Sequence, residues 1–175
     1  WGTAKIVEWS GPCPNGRADG TGTYLRKGVA GEIVRRYVGD MRAGQFDGRG
    51  TFYFGDGARY EGEFKAGKFE GKGSFYWPDG TRYEGEYRAN RPEGQGNFLY
   101  KNGQRYQGSL VAGKREGKGT MHFPDGDRYE GEFKEGLFDG RGSYFFKNGD
   151  RYEGQWKQDK YVGQGIMYLA DGRRY

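Results

Sequence analysis

Tyrosines stand at positions 37, 60, 83, 106, 129, 152 and 175, a step of 23 residues kept without a gap. A fixed period of this length marks stacked supersecondary units, each unable to bury its apolar side alone. Six full units follow one another, 37–59, 60–82, 83–105, 106–128, 129–151 and 152–174. The unit at 60–82 reads YEGEFKAGKFEGKGSFYWPDGTR, and glycine recurs at unit positions 3, 12 and 14, here Gly62, Gly71 and Gly73. Residues 9–36 form a longer, degenerate unit with Trp9, Gly11, Gly16, Gly20 and Gly22 on the pattern. Residues 1–8 read as the closing strand of an earlier unit, and Tyr175 opens a further one, so the whole of 1–175 reads as one array cut from a longer protein.

Within a unit the runs Tyr60–Phe64 and Gly71–Trp77 alternate in the period-2 manner of strands. Glycine supplies 36 of the 175 residues, which at about 1 kcal/mol per helical position excludes a helical bundle. Aromatics at 18% argue against disorder. Between units lie Pro78-Asp79-Gly80, Lys101-Asn102-Gly103, Pro124-Asp125-Gly126 and Lys147-Asn148-Gly149. These are three-residue hairpin loops, with glycine in the left-handed position. Such a loop sets position 13 of one unit opposite position 4 of the next: Arg49–Glu63, Lys72–Glu86, Gln95–Ser109, Lys118–Glu132 and Arg141–Gln155. Opposite charges facing across strands fit that register. It also sets the arginine ending each unit opposite position 17, which is a Tyr or Phe ring in four units, as in Tyr53–Arg59 and Tyr76–Arg82. The other face carries positions 1, 3, 5, 12, 14, 16 and 18, rings over glycines. The predicted fold is all-β: an elongated, single-layer antiparallel sheet of stacked 23-residue hairpins with a right-handed twist.

The pattern Y-x-G-x-F/W, then G-x-G, then a P-D-G type of turn resembles the MORN repeat (membrane occupation and recognition nexus) from Trp9 to Tyr175. The unit at 9–36 is similar to the leading unit of bacterial members. The resemblance implies a scaffold or dimerising module, or association with a phospholipid surface, or a regulatory array attached to an enzyme. It leaves the compartment open: cell envelope or periplasm for a bacterial protein, otherwise cytoplasm or a membrane surface.

The residues themselves offer little chemistry. The single histidine, His122, fills a position held elsewhere by Tyr, Leu and Phe, and the single cysteine, Cys13, falls in another unit. Acidic residues recur with the period beside basic ones, unlike the unique carboxylate pair of a glycosidase. Asp125-Gly126-Asp127 lacks the later ligands of a calcium loop, and Gly67–Ser74 lacks the spacing of a phosphate loop. The reading is therefore not an enzyme, with no cofactor, metal or small-molecule substrate. Net charge is +5 with no block of like charge, so nucleic acid is not an expected partner. A protein partner or a second copy is expected on the aromatic face, through Tyr60, Phe64, Tyr83, Tyr87, Tyr106, Tyr129, Phe133, Tyr152 and Trp156, with open sheet ends favouring a homodimer. Anionic phospholipid is the alternative partner. Gln107, Ser109, Leu110, Val111 and Arg115, together with Pro92, depart from the pattern and read as local drift.

Overall fold

The computed structural model describes residues 7–175. It forms one antiparallel sheet of fourteen strands in chain order. The chain divides into two compact units between Arg91 and Pro92. The first holds β1 (Val7–Trp9), β2 (Gly20–Lys27), β3 (Ile33–Arg42), β4 (Gln45–Phe54), β5 (Arg59–Lys65), β6 (Lys68–Tyr76) and β7 (Arg82–Arg88). From the boundary onward come β8 (Arg91–Leu99), β9 (Arg105–Val111), β10 (Lys114–His122), β11 (Arg128–Lys134), β12 (Leu137–Phe145), β13 (Arg151–Lys157) and β14 (Lys160–Tyr168). Among the described residues the only helical piece is a 3₁₀ turn at Pro14–Gly16. Of the strand expected at 1–8, residues 1–6 lie outside the described residues. Val7 and Trp9 pair with Arg26 and Tyr24 of β2.

The register is the expected one. Arg49 faces Glu63, Lys72 faces Glu86, Gln95 faces Ser109, Lys118 faces Glu132 and Arg141 faces Gln155. The loop that sets it is seen at Pro78–Gly80. The Trp77 amide donates to the Thr81 carbonyl at 2.9 Å, and the Asp79 carboxylate accepts from the Thr81 amide at 2.9 Å. Gly80 takes φ 90°, which a side chain resists.

Two details differ from expectation. The arginines lean mainly on the ring of the strand that follows, not on the ring across the loop. Arg151 lies 4.5 Å from the Tyr168 ring and 5.9 Å from Phe145, and Arg59 lies 4.0 Å from Tyr76. An ion pair along the strand, Arg59–Glu61 at 2.5 Å, repeated as Arg82–Glu84 at 2.7 Å and Arg128–Glu130 at 2.8 Å, holds each guanidinium, and Arg82 keeps the expected ring across the loop, 5.1 Å from Tyr76. The glycine of position 12 is also not a seat for rings. Gly71 takes φ +72° at a break in the β5–β6 register, and a Cβ there would meet the Glu63 carboxylate. It is a bulge residue, chosen for backbone conformation.

Candidate interaction surface

The glycines of positions 3 and 14 face each other across every strand pair described from β2 onward. In the first unit Gly22, Gly39, Gly50, Gly62, Gly73 and Gly85 are successive partners. In the second the row runs Gly96, Gly108, Gly119, Gly131, Gly142, Gly154, Gly165. On one face of this row lie the period tyrosines. A Cβ on Gly73 would stand 2.5 Å from the Tyr60 ring, and one on Gly142 would meet Tyr129 in the same way. The absent side chains let each ring lie flat on the backbone. The phenol then reaches the carbonyl three residues on: Tyr60 Oη donates to Glu63 O at 2.9 Å and Tyr106 Oη to Ser109 O at 2.7 Å. Trp9 does the same in the degenerate unit. It covers Gly11 and Gly22, and its Nε1 donates to Pro12 O at 2.8 Å.

Neighbouring rings complete a box around each tyrosine. Phe69 stacks on Tyr60 at 3.8 Å and 12°, while Phe64 and Tyr87 stand edge-on to it at 5.1 and 5.0 Å. Around Tyr129 the same places are taken by Phe138, Phe133 and Trp156. Stacked and edge-on pairs are the favoured ring geometries, about 0.5–1.5 kcal/mol each beyond area. The single layer thus makes its own roof.

That burial decides where the expected partner-binding residues stand. Tyr60, Tyr83 and Tyr129 are 0% exposed; Phe64, Tyr87, Tyr106, Phe133 and Trp156 are buried too, and Tyr152 is the most open of the nine at 9%. They are the core of the sheet, closed to solvent by one another. Burial pushes the Tyr106 phenol up to about 12 and also raises Tyr60 and Tyr129, where Glu63 and Glu132 add repulsion. The aromatic surface left partly open consists of other rings, among them Phe75 and Trp77 in the first unit and Phe123 and Tyr144 in the second.

The opposite, polar face is open. Strand alternation leaves the glycine row there as bare backbone between two rows of polar side chains. In the first unit Arg49, Thr51, Glu61, Glu63 and Lys72 wall a concavity of about 470 Å³ over Gly50 and Gly62. In the second, Gln95, Gln107, Lys118, Thr120, Glu132 and Arg141 wall one of about 630 Å³ over Gly108, Gly119 and Gly131. Another of about 900 Å³ lies over Gly142, Gly154, Gly163 and Gly165. Each is an open trough. The sequence pattern departs here: Gln107 and Ser109 replace the usual acidic pair, and the Gln95 amide donates to Ser109 Oγ at 2.7 Å. On the ring face Arg115 stands where other units have a stacked ring, 5.8 Å from Tyr106 and 5.6 Å from Phe133, its Nε donating to Gly136 O at 3.0 Å.

One recurring device was missed from the sequence. Inside each unit the strands are joined by a two-residue turn with both residues at positive φ, such as Ala66 (48°) and Gly67 (78°). Its amides are held by the unit before. Ala66 N donates to Asp47 and Gly67 N to Phe46 O; Ala89 N donates to Glu70 and Asn90 N to Phe69 O. In the second unit Glu93 holds Ala112 and Glu116 holds Glu135. The available signal was an acid at position 11 in five consecutive units: Asp47, Glu70, Glu93, Glu116 and Asp139.

The MORN repeat family model matches residues 37–59, 60–82, 83–105, 106–128, 129–151 and 152–173. No curated protein matches the chain. Among solved structures, the TCP domain of SAS-4 (dCPAP) from Drosophila melanogaster, in complex with a proline-rich motif of Ana2 (dSTIL), is similar with a TM-score of 0.54 and 14% identity, over 97% of this chain and 88% of that one. The wild-type TCP10 domain of Danio rerio CPAP has a TM-score of 0.39 and 12% identity over 98% and 97%. The likeness to the Drosophila domain is one of fold.

Proposed function

The chain belongs to the MORN-repeat family, and from that membership we propose that it works as a non-catalytic protein-interaction module whose polar face holds an extended segment of a partner protein. The observation that carries this reading is the trough floored by glycine backbone between two polar walls. An extended chain is narrow enough to lie between the walls, where Gln95, Gln107 and Thr120 offer uncharged hydrogen-bonding groups and Lys118, Arg141 and Glu132 offer charge. The proline-rich motif in the Drosophila complex is a ligand of the same extended kind. The nine buried rings serve the face indirectly, by holding the sheet in one layer. Chemistry is poorly served: His122 is exposed and stands opposite Arg105 and Arg128, neither of which is a general-base partner.

The test is a peptide-display selection on the purified protein, with the selected peptides measured against wild type and Thr120→Trp. Thr120 lines the trough, and the new ring would fill it without touching the tyrosine boxes. Peptides that bind wild type and lose about tenfold or more to Thr120→Trp, with its melting temperature unchanged, support the reading; about tenfold corresponds to 1.4 kcal/mol. Selected peptides that bind both proteins equally would refute it.

A further inference from the structure

The residues flanking the two-residue turns, at unit positions 6 and 9, share the polar face and lie outside the trough. In the first unit they are Arg42, Gln45, Lys65, Lys68, Arg88 and Arg91. Lys65 and Lys68 are direct cross-strand partners, and both are exposed, as is Arg88. Like charges facing across a strand pair are destabilising. The second unit repeats the facing pair once, with Lys157 opposite Lys160, while Lys114 and Lys134 face Val111 and Leu137.

Two ordinary explanations fail. Lysines guard sheet edges against pairing with other chains, but β5 and β6 are paired on both sides and present no edge. Nor are Lys65, Lys68 and Arg88 consumed by ion pairs, although Arg42 pairs with Asp47 at 3.7 Å and, in the second unit, Lys114 pairs with Glu135. The arginines that end each unit pair with a glutamate two residues on, Arg59 with Glu61 and Arg82 with Glu84. Lys65, Lys68 and Arg88 have no such carboxylate. The nearest acids in the chain pattern, Asp47 and Glu70, accept the turn amides of Ala66 and Ala89 instead, at 3.2 and 3.0 Å. The result is a short row of three cations, Lys65, Lys68 and Arg88, that no carboxylate among the described residues pairs.

We infer that this row is a docking strip for an acidic, extended segment of a protein partner. The inference rests on the reading of the chain as an interaction module, but it uses a different surface from the trough. The shape of the charge selects the ligand. An anionic plane such as a membrane pressed onto this face would also meet the glutamates just inward of the row, Glu61, Glu63 and Glu84. A single extended chain covers the cations alone. Adjacent strands lie about 4.8 Å apart and an extended peptide advances about 3.4 Å per residue, so flexible lysine and arginine side chains reach successive carboxylates on one side of it.

The probe is a fluorescein-labelled octa-glutamate peptide, followed by anisotropy at low and physiological salt. The strip variant carries Lys65→Gln, Lys68→Gln and Arg88→Gln. The control carries Arg49→Gln, Lys72→Gln and Arg82→Gln, so both have the same net charge. Thermal melts check the fold of each. The expected result is binding by wild type that weakens with salt, falls about tenfold or more in the strip variant, and changes less than about threefold in the control. Equal losses in both variants would show attraction to net charge only and overturn the strip. So would absence of octa-glutamate binding, or strip-dependent binding to phosphatidylserine vesicles in place of the peptide. If octa-glutamate fails while peptides selected on the trough still bind, the strip is wrong and the module reading stands. If the trough selection fails while octa-glutamate binds the strip, the trough is the part that falls.

Discussion

Replacing Gly73 with alanine tests the packing on which the whole sheet depends. The new Cβ would lie 2.4 Å from the Tyr60 hydroxyl and 2.5 Å from its ring. The ring cannot move outward, because Phe69 stacks on its other side at 3.8 Å. It cannot slide sideways either, because Phe64 and Tyr87 stand edge-on at 5.1 and 5.0 Å. Overpacking of this kind costs about 1–3 kcal/mol. Displacing the phenol from Glu63 O adds about 0.5–1.5 kcal/mol. The lower entropy of unfolded alanine returns about 0.4–1 kcal/mol. The net expectation is a loss of about 2 kcal/mol, within a range of about 0.5–4 kcal/mol. Stacked repeats can open locally, so native-state hydrogen exchange at the amides of β5 and β6 is the better assay, with urea unfolding beside it. In a Tyr60→Ala background the obstacle is gone, and Gly73→Ala should cost less than about 0.5 kcal/mol, a coupling that only touching residues show. A cost that is the same in both backgrounds, or a wild-type exchange pattern in Gly73→Ala, would refute the box of rings as the source of order.

Tyr87→Phe is expected to hold or raise stability, by up to about 1 kcal/mol, because the Tyr87 hydroxyl is buried without a hydrogen-bond partner; a clear loss in urea titration would contradict this. The turn clasp predicts that Glu70→Ala speeds exchange of the Ala89 amide, at a cost of about 1 kcal/mol, while a change at the exposed Lys72 leaves that amide as protected as before. The tyrosine boxes predict alkaline unfolding. The unfolded phenol titrates near 10 and folded Tyr106 near 12, so the folded state keeps protons that the unfolded state releases. That stability is complete below pH 10 and is lost between the two values at about 1.4 kcal/mol per pH unit for each such tyrosine. Urea midpoints that do not fall between pH 10 and 11.5 would count against it.

The period, the hairpin loop and the register were legible because each leaves a trace at single positions. Asp79-Gly80 names its turn, and Lys72 opposite Glu86 checks the pairing within the sequence. The other turn was not legible. Ala66 is an unfavoured residue at positive φ, and nothing local to Ala66-Gly67 announces a left-handed pair. What stabilises it is Asp47, nineteen residues back in the preceding unit. The burial of Tyr60 and its fellows was missed for a related reason. Alternation shows which residues share a face, but not that Phe69 and Phe64 wall and cover Tyr60 from within the same layer. Rings are thick enough to bury rings once glycine lets the first of them lie flat.

A strict period also hides charge. Lys65 and Lys68 are one residue pair among many in the chain, and no basic run betrays them. Stacking at fixed register converts a position into a row, so a preference at position 6 or 9 becomes a short strip within a compact unit, as at Lys65, Lys68 and Arg88. The same conversion makes departures legible in the structure that read as drift in the sequence. Arg115 breaks a row of stacked rings, yet its guanidinium stays near Tyr106 and Phe133 and gains the Gly136 carbonyl, so the packing survives the change. Gln107 and Ser109 break the acidic rows on the other face of the same unit, and there nothing needs repair, because that face is solvent and trough. A regular array binds every register alike. Gln107 in the trough wall and Ser109 beside it stand where other repeats carry carboxylates, so the charge of the face differs at that one place from that of its neighbours.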